Sequence, residues 1–230
     1  MLRKYLIVIL FFFLFSSCVW KYVTPMHNTP CFTDKKQFEG TVAAGITGAN
    51  ALLAYSPVKY LSLQFNGYSN LTSLTKPVYN NQLEAAIGIY LPFKYFITGL
   101  SGGYGMGTTS WNIIFDSGEM YTPLRSLVFD TKKYYLDYYV AARLGKRNFT
   151  GVSVKINFMN NFYHKAEYVN HLYSNYTRNQ NCFEALGFLK CYVYKKLFFN
   201  LQTGMSFLAD DEGRSFNIHP IVRFGFSIKV

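Results

Sequence analysis

The chain is poor in charge and poorest in acid. Only 15% of its 230 residues are charged, with 12 acids against 23 lysines and arginines. Beyond the N-terminus, no apolar run approaches the roughly 20 residues that a helix needs to cross a bilayer, which excludes a helical membrane protein. Cysteine is scarce as well: beside Cys18 there are only Cys31, Cys182 and Cys191. Their spacing forms no metal motif, and no cofactor is implied. The basic residues are scattered, with no run of five or more, so nothing reads as a nucleic-acid-binding tail. No motif reveals a biochemical activity.

What the chain does have is aromatic mass. Phe, Tyr and Trp make up 19% of it, with 20 Tyr and 22 Phe. A weakly charged, aromatic chain without membrane helices suggests a membrane β-barrel with aromatic girdles. Periodicity agrees. Leu61, Leu63 and Phe65 alternate with Ser62, Gln64 and Asn66; Val222, Phe224, Phe226 and Ile228 alternate with Arg223, Gly225 and Ser227. The same two-residue period recurs around Leu83, Val152 and Phe199. Period two with one apolar and one polar side is a strand signal. A soluble antiparallel sandwich shares that alternation, but the aromatic load favours the membrane form.

The N-terminus reads as an export signal. Arg3-Lys4 is followed by eleven apolar residues, Tyr5 to Phe15, and then Ser16-Ser17-Cys18. That length fits a signal h-region and is too short to span. The Ser-Ser-Cys ending resembles the lipobox of bacterial lipoproteins, with Phe15 where Leu is usual. The resemblance implies lipidation of Cys18; ordinary secretion with cleavage nearby, or an uncleaved anchor, are the alternatives. Residues 1–17 are then the signal peptide, 18–37 a lipidated periplasmic tether and 38–230 the barrel. Behind an export signal, the basic excess suits the phosphates of outer-membrane lipid and lipopolysaccharide rather than nucleic acid. An envelope protein is a further candidate partner.

Turn lengths set the expected topology. Short connections fall at Ser56–Lys59, Leu91–Lys94, Gly145–Asn148 and Tyr194–Lys196, with longer polar stretches at 69–81, 109–133, 161–180 and 209–214. Outer-membrane barrels have short periplasmic turns and longer external loops. The expectation is a closed, antiparallel, up-and-down transmembrane β-barrel of ten strands, or eight if residues 38–55 lie outside the wall. Pro220 should bend the last strand or precede it. Strand parity then turns Glu39, Glu84, Asp137 and Glu184 inward, together with Arg143, Lys155, Lys190 and Arg223. Ions in a narrow bore must be paired, so these eight read as a lumenal salt-bridge network plugging the barrel. Gly99, Gly103 and Gly105 flatten one wall and could leave a cavity. Leu186 and Phe188 also point inward, so part of the interior is apolar or the register slips there.

The segment before the first strand carries a family resemblance. Tyr22, Pro25, Asn28-Thr29-Pro30, Phe32 and the charged stretch to Phe38 resemble the opening of lipidated outer-membrane β-barrel proteins common in the Bacteroidetes group. Ala54-Tyr55-Ser56-Pro57 is similar to their first periplasmic turn. The likeness covers about the first 70 residues and implies fold and location, but no catalytic or binding residue. Cys31 stands where that family often has an aliphatic residue. The chain ends in Val230 rather than an aromatic, so Phe224 and Phe226 would supply the assembly signal.

Three functions follow. The first is a non-enzymatic barrel with a structural, surface-interaction or small-ligand role. The second is an outer-membrane hydrolase or lipid A acyl-modifying enzyme with His and Asp at the rim. Its candidates are His164 and His171 in one long stretch, Asp116 and Asp130 in the other, and His219 beside Pro220; His27 lies in the tether. The third is a narrow channel, disfavoured because ten strands enclose little space.

Overall fold

The computed structural model describes residues 25–45, 48–70, 78–112, 124–145, 147–168, 172–173, 175–210 and 216–230. Its strands are β1 (Gln37–Gly45), β2 (Gly48–Ser56), β3 (Leu61–Ser69), β4 (Val78–Pro92), β5 (Phe96–Asn112), β6 (Leu124–Leu144), β7 (Asn148–Tyr168), β8 (Leu172–Tyr173), β9 (Tyr176–Tyr194), β10 (Leu197–Asp210) and β11 (Phe216–Lys229). Each long strand pairs antiparallel with its neighbours in sequence, and β1 pairs with β11, closing the ring. Phe38 and Val230 exchange both backbone hydrogen bonds at the seam. β8 is a two-residue rung laid on β7. The wall is therefore a closed ten-stranded up-and-down barrel, with no helix among the described residues.

The barrel is inside out relative to a soluble one. On β3 the buried residues are Ser62, Gln64, Asn66 and Tyr68, while Leu63 and Phe65 are exposed. On β11, Phe224, Phe226 and Ile228 are each 53% exposed, whereas Arg223 and Ser227 are buried. A soluble protein does not present an apolar ring to water on this scale, so the fold is a transmembrane β-barrel. Because the side-chain period is two, one register decision orients every residue of a strand. Leu186 and Phe188 do face inward, at 3% and 4% exposure, without a slip.

Strand length is uneven. β1, β2 and β3 have nine residues each, about what a tilted strand needs to span. β6 and β7 have 21 each and continue past the apolar band. This corrects the expected loops: residues 69, 78–81, 109–112, 124–133, 161–168, 172–173, 176–180 and 209–210 are strand. β11 also continues through Pro220 rather than starting after it. Among the described residues β1 ends opposite Arg223 and the strand around Pro220 pairs with β10 alone, an edge position where a missing amide is tolerated.

The flat glycine wall leaves no cavity. A Cβ on Gly99 would lie 2.3 Å from the Tyr139 ring, and one on Gly103 would lie 2.4 Å from Tyr135. These tyrosines are the direct cross-strand partners on β6 and lie flat over the glycines. Overpacking of this kind costs about 1–3 kcal/mol, so Gly99→Val should lower the temperature at which the heat-modifiable gel band converts. With Tyr139→Ala already present, the same substitution should cost almost nothing; equal costs in both backgrounds would show that the ring contact is not the cause.

Candidate functional site

Inside the barrel lies the chain's own N-terminal segment. Residues 25–33 have no regular secondary structure and pass up the lumen. The tether expected on the periplasmic side is thus, over these residues, a plug. Every buried carbonyl needs a partner, and here barrel side chains provide it. Arg223 donates to the carbonyl of Pro25, Asn66 to Met26, Gln202 to His27, Lys190 to Thr29, Tyr139 to Pro30 and Lys229 to Cys31. Prolines suit this arrangement because Pro25 and Pro30 bring no amide that would need an acceptor. Apolar contacts grip the segment at both ends. Met26 packs on Ala43 and Leu52; Phe32 packs on Ala54 and Tyr90. Cys31 sits in a pocket of Ile97, Tyr139, Ala141, Phe149 and Phe188, the apolar part of the lumen. It is a free thiol, as are Cys182 and Cys191.

Around the plug the charges are paired. Glu84 binds Lys133 at 2.5 Å and Lys155 at 2.9 Å. Lys133, two strands away, reaches Glu84 across Gly105, where a Cβ would lie 2.7 Å from its Cε. Lys155 crosses the lumen from β7, its ammonium 4.1 Å from the centroid of the Tyr135 ring. Glu39 pairs with Lys190. Glu184 and Asp137 flank His27, at 2.9 and 3.7 Å. Ser153 donates to Asp137 at 2.7 Å and so accepts from His27 Nδ1 at 2.8 Å. A gap of about 10 Å³ remains beside Asn28, Gln64, Glu84 and Lys155, no more than one water's space.

Of the eight residues read from strand parity, seven are buried in the lumen: Glu39, Glu84, Asp137, Glu184, Lys155, Lys190 and Arg223. Arg143 is half-buried at the turn end instead. Sequence reasoning missed Lys133, placed in a loop, and His27, placed in a tether. The parity of Lys133, Tyr135 and Asp137 could have revealed the first; nothing marked the second. Cys18, Asp116 and His171 lie outside the described residues, and His219 falls within β11.

A second polar group stands on the outer wall. His164 Nε2 is 2.8 Å from Asp130 Oδ2, and Thr108 donates to Asp130 Oδ1 at 2.7 Å. These residues lie in strands rather than loops, above the last outward aromatic of β6, Tyr134. The hydrogen bonds from His164 and Thr108 hold the Asp130 carboxyl below its usual range. A lowered carboxyl stabilises the fold above its unfolded value and loses that contribution as pH falls through the lowered one. Both side chains are 46% exposed, so solvent screens the pair. His164→Ala should therefore raise the Asp130 titration midpoint in a carbon-13 NMR titration, with little change in thermal stability. An unchanged midpoint would remove His164 as the cause.

These features define a class: a closed transmembrane β-barrel whose lumen is filled by a self-supplied plug and buried ion pairs. Comparison of the sequence with protein-family models and with curated proteins yields no match. Among solved structures the chain is similar to LpxR from Salmonella typhimurium, at 8% identity and a TM-score of 0.34, over 84% of this chain and 99% of that one. The functional reading rests on the residues described above.

Proposed function

We propose that the protein is a non-enzymatic outer-membrane β-barrel lipoprotein with a structural, surface-interaction or small-ligand-binding role, sealed against solute flow by its own N-terminal segment. The plugged lumen carries the reading: six carbonyl contacts between Pro25 and Cys31 and buried ion pairs occupy the bore that a channel would need. The export-type N-terminus and the apolar outer face support an outer-membrane location, among lipopolysaccharide and other envelope components. Pro25 is bound by Arg223, whose strand partner is Gly45 at the tip of β1. The plug therefore rises to the end opposite the short turns. Cys18 precedes Pro25 by seven residues, a reach of at most about 23 Å. On this reading the chain before Pro25 is expected at the cell surface rather than in the periplasm. In intact cells, Lys21→Cys should react with a membrane-impermeant maleimide while the parent does not. Labelling that requires permeabilised cells would return the segment to the periplasm.

The Asp130–His164 contact favours one second reading, a hydrolase acting on membrane lipid. A groove of about 850 Å³ on the outer wall has apolar Val42, Leu83 and Met106 along it and Thr108, Asp130 and Lys132 at its upper margin. In this reading His164, oriented by Asp130, would take a proton from an attacking water. Release of acyl chains from lipid A by the purified protein, abolished in His164→Ala, would displace the non-enzymatic reading.

A further inference from the structure

The turn end of the barrel is crowded with cations. Lys59, Lys94 and Lys195 each stand 5.1 Å from the ring centroid of Tyr60, Tyr95 and Tyr194. Arg147 stacks 4.4 Å from the centroid of Tyr192. Five cations converge on one cavity of about 240 Å³: Arg143 and Arg147 near the β6–β7 turn, Lys195 and Lys196 in the β9–β10 turn, and Lys229 at the end of β11. Among the described residues, no carboxylate lines it. The nearby Glu39 is engaged by Lys190 inside the lumen. Lys229 is held toward the cavity by its bond to the Cys31 carbonyl and its position over Phe149. Arg143 Nε is buried and has no hydrogen-bond partner among the described residues.

That combination is costly without an anion. Like charges gathered at short range repel, and a buried donor left unpaired loses its solvation without compensation. The plug holds Lys229 in place, and the two turns set the other four cations around the same concave site. Guanidinium groups present forked donors that match phosphate oxygens, and ammonium groups add point charge. Phe149 and Phe198 form apolar walls beside the cations, which suits an organic substituent on the phosphate. The exposed Arg147, Lys195 and Lys196 leave the cavity open at the turn end.

From this geometry we infer a phosphate-binding site at the turn end of the barrel, formed by Arg143, Arg147, Lys195, Lys196 and Lys229. The phosphate comes either from a glycerophospholipid headgroup of the adjoining leaflet or from a free phosphate in solution; the recognising chemistry is shared. The site does not depend on whether the lumen is sealed.

The full mature chain in neutral detergent would be titrated calorimetrically with inorganic phosphate, with dihexanoyl-phosphatidylglycerol and, as a zwitterionic control, with dihexanoyl-phosphatidylcholine. Saturable binding is expected for at least one of the first two probes, weakening as salt screens the charges. Preference for phosphatidylglycerol over inorganic phosphate assigns the site to a lipid headgroup; equal or stronger binding of inorganic phosphate assigns it to the free anion. Arg143→Gln should weaken binding at least about tenfold through loss of a charge-assisted donor. Should that variant fail to show a heat-modifiable folded band, the double variant Arg147→Gln/Lys196→Gln decides, because both positions are exposed and outside the wall's packing. No saturable binding by either anionic probe, equal binding of the zwitterionic control, or an affinity unchanged in the double variant would overturn the site.

Discussion

Deleting residues 25–33 should turn a silent barrel into a conducting one. In planar bilayers the parent protein is expected to show no steady unitary steps, and the deletion variant to show them. The reasoning is steric before it is electrostatic. An eight-stranded barrel is filled by its own side chains, but this ten-stranded wall leaves room for an extended polypeptide. A bore that holds a peptide backbone holds a file of water and small ions once the peptide is gone. The exposed wall would then be polar, with Asn66, Gln202, Lys190 and Arg223 deprived of the carbonyls they now bind. Glu184 and Asp137 would lose His27 as well. The variant must first show the heat-modifiable band of a folded barrel. If the deletion proves too disruptive, replacing residues 25–30 by a Gly-Ser stretch keeps the chain length while removing His27 and both prolines. A folded, silent deletion variant would mean that side chains alone close the lumen. Steady steps from the parent would end the sealed-barrel reading altogether.

How far the lumen was legible in the sequence follows from the same physics. Glu39, Glu84, Asp137 and Glu184 could be turned inward because each lies within an alternating apolar–polar stretch, and parity is rigid inside a closed sheet. Their cationic partners were harder. Lys155 and Lys190 share that parity, but Lys133 lies where β6 climbs beyond the apolar band. There the outward neighbours Lys132 and Asp130 are polar, so the alternation that marks a strand disappears while the strand continues. The same loss hid the upper parts of β7 and β9. His27, Pro25 and Pro30 misled for a different reason. A segment with two prolines and several turn formers has the composition of a linker, and a plug held by side chains needs that composition: few amides, no ladder and free carbonyls. Composition cannot separate a strand-free segment in water from one inside a polar lumen. The outward pair Asp130–His164 was conceivable from proximity of two stretches, but its distance depends on the register of β6 against β7, which bulges between Val128 and Phe129.

Glu84→Gln should be the most damaging single substitution in the wall, and a triple replacement should repair it. Glu84 is 3% exposed and receives two ammonium groups, Lys133 and Lys155. Removing its charge leaves the Lys133 and Lys155 ammonium groups facing each other in the bore. Breaking a buried pair by deleting one partner typically costs about 3–5 kcal/mol, a large share of the roughly 5–15 kcal/mol that stabilises a folded domain. The heat-modifiable transition should move down sharply, and the urea midpoint with it. The network's role is a separate question. Buried ion pairs can often be exchanged for apolar groups of similar size at little net cost, so Glu84→Leu with Lys133→Met and Lys155→Met should regain most of the lost stability. Gly105 makes that repair feasible, since an unbranched Met at position 133 can lie over it as the lysine does now. If Glu84→Gln is as stable as the parent, the two ammonium groups are not held by Glu84 and the lumenal network is not what closes this side of the barrel. If Glu84→Gln is damaged and the triple variant recovers yet stays silent in bilayers, the charges serve folding and the plug alone keeps the bore shut.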